Sequence, residues 1–376
     1  MNSEFVVWFD DYDPAHKSRI GGKNASLGEM IEAGLPVPPG LAVTTEAYET
    51  LRGNTRVASE VRSLLSEVDV DDLAHLQSTS KRIRSTIEAV DVAPYVEEAV
   101  REAYAELSRR CNEENLPVAV RSSATAEDLP DASFAGQQDT FLWIRGADNV
   151  VKAMRRCWSS LFTDRAISYR HETGHDHEVI AMSVGIQQMV EPTAAGVAFT
   201  LNPSDGDRSQ IAIEASFGFG ESVVSGEVTP DNFLVDKVIL EVHRRTISPK
   251  HTELVLSGDG DGLVWRNVEP ERQRRPSVSD AELVEIACMA KAAEQHYGTP
   301  QDVEWAIDRY LPEGRNVMLL QSRPETVWSR KARRTVAGPN SGFMDGIVST
   351  LLSPVHARDK AATSTEDDGG RDGASE

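Results

Sequence analysis

Apolar residues recur at three- and four-residue steps between Asn149 and Arg170, through Val150, Val151, Met154, Cys157, Trp158 and Leu161, which predicts one long helix with a buried stripe. A second helix is marked at both ends. Ser279 with Glu282 three residues later forms a capping box, and Gly298 followed by Pro300 closes the run at Tyr297. Several charged-faced helical patterns fill residues 46–112. Short apolar runs predict strands at Pro117–Val120, Thr140–Ile144, Val184–Val190, Gly196–Thr200 and Ile211–Ala215. Residues 21–44 read as a glycine-rich turn, a short helix from Ser26 to Ala33 and an extended Pro-rich segment. This alternation of helices and strands, without a solenoid-period repeat, predicts a bilobal α+β enzyme divided near residue 191.

The last pair of strands holds the most chemistry. Alternation in Asp302–Ile307 puts Asp302 and Glu304 on one face and Val303, Trp305 and Ile307 on the other. A turn centred between Pro312 and Glu313 then sets Glu304 opposite Gln321 and Asp302 opposite Arg323. Carboxylates and an amide oxygen are hard ligands suited to Mg²⁺, and a guanidinium pairs with phosphate in fork geometry. The same pattern also describes a plain cross-strand salt bridge on a solvated face. Lys23 follows two glycines at a helix start, where backbone N–H groups meet an anion, although an exposed lysine at a turn reads the same way. Arg121 ends an apolar strand among Ser122, Ser123 and Thr125, as a phosphate ligand or one half of a structural ion pair.

The chain has 376 residues, 40% hydrophobic and 26% charged, enough apolar material for one large or two medium domains. Lysine and arginine total 39 against 60 acidic residues, a net charge of −21, which disfavours a nucleic-acid or anionic-membrane face. No apolar run approaches a membrane span, and no signal peptide is visible, so the cytoplasm is the expected location. The three cysteines, Cys111, Cys157 and Cys288, form no C-x-x-C pair and are expected to be core or near-core thiols. His171, His175 and His177 resemble a metal cluster in composition only. The basic runs Arg272–Arg275 and Arg330–Arg334 are expected to be solvated linkers.

Taken together, Gly21-Gly22-Lys23-Asn24-Ala25-Ser26-Leu27-Gly28-Glu29-Met30, Val37-Pro38-Pro39-Gly40, Val120-Arg121-Ser122-Ser123-Ala124, Phe134-Ala135-Gly136-Gln137-Gln138-Asp139-Thr140, Ala215-Ser216-Phe217-Gly218-Phe219-Gly220-Glu221, Thr229-Pro230-Asp231 and Gln321-Ser322-Arg323-Pro324 resemble the nucleotide-binding domain of phosphoenolpyruvate synthase and pyruvate phosphate dikinase. The resemblance runs in order from about residue 16 to residue 328 and implies an ATP-grasp fold, with an N-terminal lobe over residues 1–190 and a C-terminal lobe over 191–330; the rest, 331–376, is an extension in which nothing from Ala357 on is more apolar than alanine, so disorder is expected from about 357. It implies ATP and Mg²⁺ as cofactors. Lys23, Arg121, Gln321 and Arg323 would act on the phosphates, with Glu304 and Gln321 as metal ligands. Gly136, Gln137, Asp139 and Thr140 would close over the phosphates, Gln188, Met189 and Val190 would line the adenine pocket, and Glu214 would join the nucleotide-binding residues.

Members of that family pass the β,γ-diphosphoryl group of ATP to a histidine in a swivelling domain. None of the nine histidines here lies in such a motif, so the histidine is expected on a separate partner subunit serving a small-molecule acceptor. This organisation resembles the ATP-binding subunit of the split aryl phosphate synthases, with a phenol as acceptor. A split phosphoenolpyruvate synthase or antibiotic phosphotransferase, a stand-alone kinase making ADP, and a nucleotide-sensing module without turnover remain as alternatives.

Overall fold

In a computed structural model of the chain, the structure describes residues 4–125, 139–174, 180–260 and 262–328. The extension from residue 331, with its expected disorder, lies outside them. The first sheet is five-stranded and antiparallel, ordered β1-β2-β5-β3-β4, with β1 at Val6–Trp8, β2 at Gly40–Val43, β3 at Val118–Ala124, β4 at Thr140–Ile144 and β5 at Met182–Gln188. Helices α1 (Lys17–Glu32), α2 (Thr45–Arg52), α3 (Thr55–Glu67), α4 (Leu73–Ala89), α5 (Pro94–Arg110), α6 (Ala147–Ser159) and α7 (Asp164–Thr173) accompany it.

The second sheet is six-stranded, ordered β13-β12-β6-β7-β8-β9. Its strands are β6 (Pro192–Phe199), β7 (Gln210–Phe217), β8 (Asp231–Asp236), β9 (Val242–Thr246), β12 (Gln301–Asp308) and β13 (Val317–Pro324). Between β9 and β12 a detached hairpin pairs β10 (Thr252–Leu256) with β11 (Leu263–Asn267). The one-turn α8 (Glu221–Val224) follows the second glycine loop, and α9 (Asp280–Tyr297) covers the sheet. Helices cover both antiparallel sheets, α1 and α6 packing on the first and α9 on the second, so the expected α+β class holds.

All strands of the first sheet end by Gln188 and all strands of the second begin at Pro192. The cores divide differently. Val7, Phe9, Ile20, Leu27 and Met30 pack with Leu283, Ile286, Val303, Trp305 and Leu319, so α1 shares the apolar core of the second sheet although it lies in sequence between β1 and β2 of the first. Leu319 N–H also donates to the carbonyl of Pro36 at 2.8 Å. The capping box on α9 forms as expected, with Gly298 left-handed at φ 68°.

Several local expectations give way to tertiary packing. The predicted helix over 149–170 is two: Ser159 Oγ and Ser160 Oγ donate to carbonyls of their own turn, Arg156 at 3.0 Å and Cys157 at 2.6 Å, and Thr163 then caps a new helix by accepting from Ala166 N–H at 3.2 Å. Its stripe from Val150 to Leu161 is buried as read. The strand expected to stop at Val120 continues through Ala124, because Arg121, Ser122 and Ser123 pair with Gly185, Val184 and Ser183 of β5. Cys157 is buried and Cys111 half-buried, but Cys288 is exposed, on the side of α9 away from Leu283, Ile286 and Ala290. Arg272 is no solvated linker residue: its guanidinium lies 3.8 Å over the Phe217 ring and pairs with the buried Glu253 carboxylate at 2.9 Å. Arg330–Arg334 fall outside the described residues.

Candidate nucleotide site

Gly21 sets the position of Lys23. The helix expected to start near Ser26 starts at Lys17 and is broken at Gly21, whose φ of 70° and ψ of 167° are non-helical. A Cβ there would lie 2.4 Å from Ser123 Oγ, so only glycine admits both the left-handed backbone and the close approach to β3. The helix resumes with Gly22 and Lys23 facing a cleft of about 1580 Å³ between α1, β3, β4 and the β12–β13 hairpin.

The hairpin register matches the expectation: Glu304 pairs with Gln321 and Asp302 with Arg323. A bulge follows, so Trp305 opposes Leu319 and Leu320 is displaced into the cleft lining. Arg323 Nε lies 3.4 Å from Asp302 Oδ2, while Asp302 Oδ1 is buried without a hydrogen-bond partner. Burial pushes the Asp302 carboxyl up to about 6 despite the opposing pull of Arg323. Glu221, on the facing glycine loop, is raised by burial and then by Glu304.

Arg121 spans the cleft. Its Nη1 donates to the Leu320 carbonyl at 3.1 Å and its Nη2 to Gln321 Oε1. The amide oxygen read as a metal ligand is therefore already an acceptor, with one lone pair left. At the other end Met189, Val190, Leu142, Ala195, Ala306 and Phe219 give an apolar wall suited to a planar base, and Gln188 lines the same end. Asp139 and Thr140 also line the cleft, with the Asp139 carboxylate held by Arg84 at 2.9 Å.

Among the described residues, Glu214 is the predicted site residue that does not reach this place. Gly136 and Gln137 lie outside the described residues. Glu214 is not among the residues lining the cleft; it sits on β7, paired with Val197, which separates it from Glu304 in the same cross-strand row. His175 and His177 are outside the described residues, and among those described no three His, Cys, Asp or Glu side chains form a metal cage. Sequence reasoning missed Phe219 and Glu221 as cleft residues; the glycine loop that carries them was legible, its target was not.

The donor set nevertheless fits a hard divalent cation. Glu304, Asp302 and the remaining lone pair of Gln321 are oxygen donors, and the orphaned Asp302 Oδ1 is a buried carboxylate oxygen still open to a partner. This has a consequence for stability. The folded chain prefers neutral Asp302, so between the ordinary 3.8 of aspartate and about 6 it binds more protons than the unfolded chain. The resulting penalty is absent at low pH and complete above the raised value. Asp302→Asn is expected to stabilise the ligand-free protein by on the order of 1 to 2 kcal/mol at about pH 8 and by little at about pH 4. Urea unfolding at the two pH values checks it, and equal effects at both would refute the assignment.

Residues 17–341 match the family described as pyruvate phosphate dikinase, AMP/ATP-binding domain. The chain belongs to this family. Among relatives of this chain, a probable phosphoenolpyruvate synthase of Staphylothermus marinus is 44% identical over 354 residues, covering 89% of this chain and 42% of the relative. A probable phosphoenolpyruvate synthase of Methanocaldococcus jannaschii is 45% identical over 86% of this chain and 27% of its own length. The phosphoenolpyruvate synthase of Pseudomonas aeruginosa is 42% identical over 87% and 42%, respectively. The chain thus spans between about a quarter and half of these relatives. Among solved structures, D-alanyl-alanine synthetase A of Vibrio cholerae is 9% identical at a TM-score of 0.25, covering 65% of this chain and 54% of that one. D-cycloserine synthetase DcsG is 11% identical at 0.24, covering 72% and 86%. Scores this low add nothing to the argument. Among the described residues, no helix is long and apolar enough to cross a membrane.

Proposed function

We propose that residues 1–190 and 191–330 act as the two lobes of an ATP-grasp site that binds Mg·ATP and catalyses the first half-reaction of a dikinase. A histidine nitrogen on a partner domain or subunit attacks the β-phosphorus. The bond from that phosphorus to the α,β-bridging oxygen breaks, and AMP leaves with that oxygen. Water then releases the γ-phosphate, and the phosphohistidine serves a small acceptor.

The observation that carries this reading is the convergence of Lys23, Arg121 and Arg323 with the Glu304–Gln321 pair at one end of a cleft whose other end is apolar. Lys23 and the two guanidinium groups neutralise and orient the phosphates. Asp302 holds Arg323 in place. Glu304 and Gln321, with Asp302 beside them, would hold Mg²⁺, which supplies charge neutralisation between phosphate oxygens. The apolar wall at Met189 and Val190 receives the base and excludes water.

The relatives' names support pyruvate as the acceptor, as in a split or multidomain phosphoenolpyruvate synthase. An aryl acceptor such as a phenol is the second reading, favoured by the resemblance to the aryl phosphate synthases. Chromatographic analysis of nucleotides after incubation with Mg-ATP tests both, with and without soluble extract of the source organism and with pyruvate or phenol added. AMP and phosphate are expected only with extract, and not from a Glu304→Ala variant. ADP as the sole product, or AMP formation insensitive to that variant, would overturn the proposal.

A further inference from the structure

Trp143 stands just behind the cleft, outside its lining, in a backbone conformation that aromatic residues seldom adopt. Val118 of β3 pairs with Ile144 and Val120 with Phe141, so the single β3 residue between them, Ala119, faces two of β4 and a bulge falls at Leu142 and Trp143. Trp143 takes a φ of 59°, in the left-handed region. A bulge re-aims a side chain, and here the indole turns away from its own sheet towards a segment more than a hundred residues later. Its Nε1 donates to the Gly260 carbonyl in the β10–β11 turn at 3.2 Å. Its ring meets Phe219 edge-to-face, with centroids 5.8 Å apart and planes at 84°.

Phe219 is held from a second side. Its N–H donates to the Leu254 carbonyl at 2.9 Å. Gly218, at φ 74°, lies so close to β10 that a Cβ there would be 2.2 Å from the Leu254 oxygen. Trp143, Phe219 and Leu254, with Met189, Leu256 and Leu263, form a small apolar cluster separate from the main cores. A two-stranded hairpin has little stability alone, so this cluster docks β10–β11 as much as it clamps Phe219. Of the cluster, Phe219 and Met189 also line the apolar end of the cleft.

We propose that Trp143 is a positioning residue for nucleobase binding: through the bulge in β4 it ties the first sheet to the β10–β11 hairpin and seats Phe219 against the base. The inference rests on the reading that the Met189 end of the cleft receives the base. A role confined to the base end separates nucleotides from bare phosphate chains, whereas a general structural role does not.

Isothermal titration with AMP, ATP and tripolyphosphate, each with Mg²⁺, compares the wild type with Trp143→Ala and Trp143→Phe. The alanine variant is expected to bind AMP and ATP about tenfold more weakly and tripolyphosphate almost unchanged. The phenylalanine variant keeps a ring against Phe219 but loses the bond to Gly260, and should lose about threefold for the two nucleotides, which holds the test open if the alanine variant does not fold. Unchanged nucleotide affinity, or an equal loss for tripolyphosphate, would overturn the role of Trp143 alone. A wild type that binds tripolyphosphate but no better with an adenosine attached would remove the base-end reading, and this inference with it.

Discussion

Arg323→Ala is expected to reduce AMP formation by about a hundredfold to a thousandfold, with Glu304→Ala at least as severe, while both variants unfold at nearly the wild-type temperature. The asymmetry follows from position. The Arg323 side chain is 51% exposed and its ion pair to Asp302 is long at 3.4 Å, so the fold gains little from it. In a site organised around phosphates, the same guanidinium supplies preorganised charge where charge develops, and no other group on β13 replaces it. Glu304 lies across from Gln321 on the same face, and its carboxylate also helps raise Glu221, so its removal alters both the metal donors and the facing loop. Nucleotide turnover measured with the partner extract, alongside thermal unfolding, separates the two effects. Near-normal rates in either variant would remove the hairpin from the catalytic site.

Asp231→Ala is expected to destabilise the protein by about 3 to 5 kcal/mol. Asp231 and Lys250 are both fully buried, with Nζ 2.5 Å from Oδ1. The carboxylate is also saturated by Ser248 N–H at 3.0 Å and by Ser277 N–H and Oγ, each at 2.8 Å. Removing it strands an ammonium group and several donors away from water, whereas replacing both members of the pair by apolar residues removes the buried charge and leaves only the Ser248 and Ser277 donors. The double variant Asp231→Leu with Lys250→Met should therefore recover more than half of the loss. Urea denaturation of the two variants decides; a loss below about 1 kcal/mol for Asp231→Ala would show that the pair relaxes to solvent. Because Lys250 also lies 5.2 Å over the Phe217 ring, at the start of the glycine loop, the single variant should weaken nucleotide binding as well.

The hairpin shows how far local pattern reaches. Period-two alternation from Asp302, with a turn assumed to centre between Pro312 and Glu313, paired Glu304 with Gln321 and Asp302 with Arg323. The bulge that shifts Trp305 onto Leu319 begins just after those pairs and left no trace in the residue pattern. The α9 capping box was equally legible, since its partners are three residues apart. The break at Gly21 was only half legible: two glycines signal a non-helical backbone, but whether it precedes or interrupts a helix depends on Ser123, which packs against it.

What the sequence by itself determined, then, is the set of elements with short-range periods, the register of the last hairpin and the family to which the chain belongs, because each is written in contiguous residues. Only the tertiary structure decided that Arg121 reaches Gln321 across 200 positions, that α1 joins the core of the second sheet, that Asp231 is buried against Lys250, and that Trp143 turns out of its own sheet onto Phe219. Those contacts depend on how helices and sheets pack once formed. Close packing and burial select among the many partners that local spacing allows, and neither is encoded in the spacing itself.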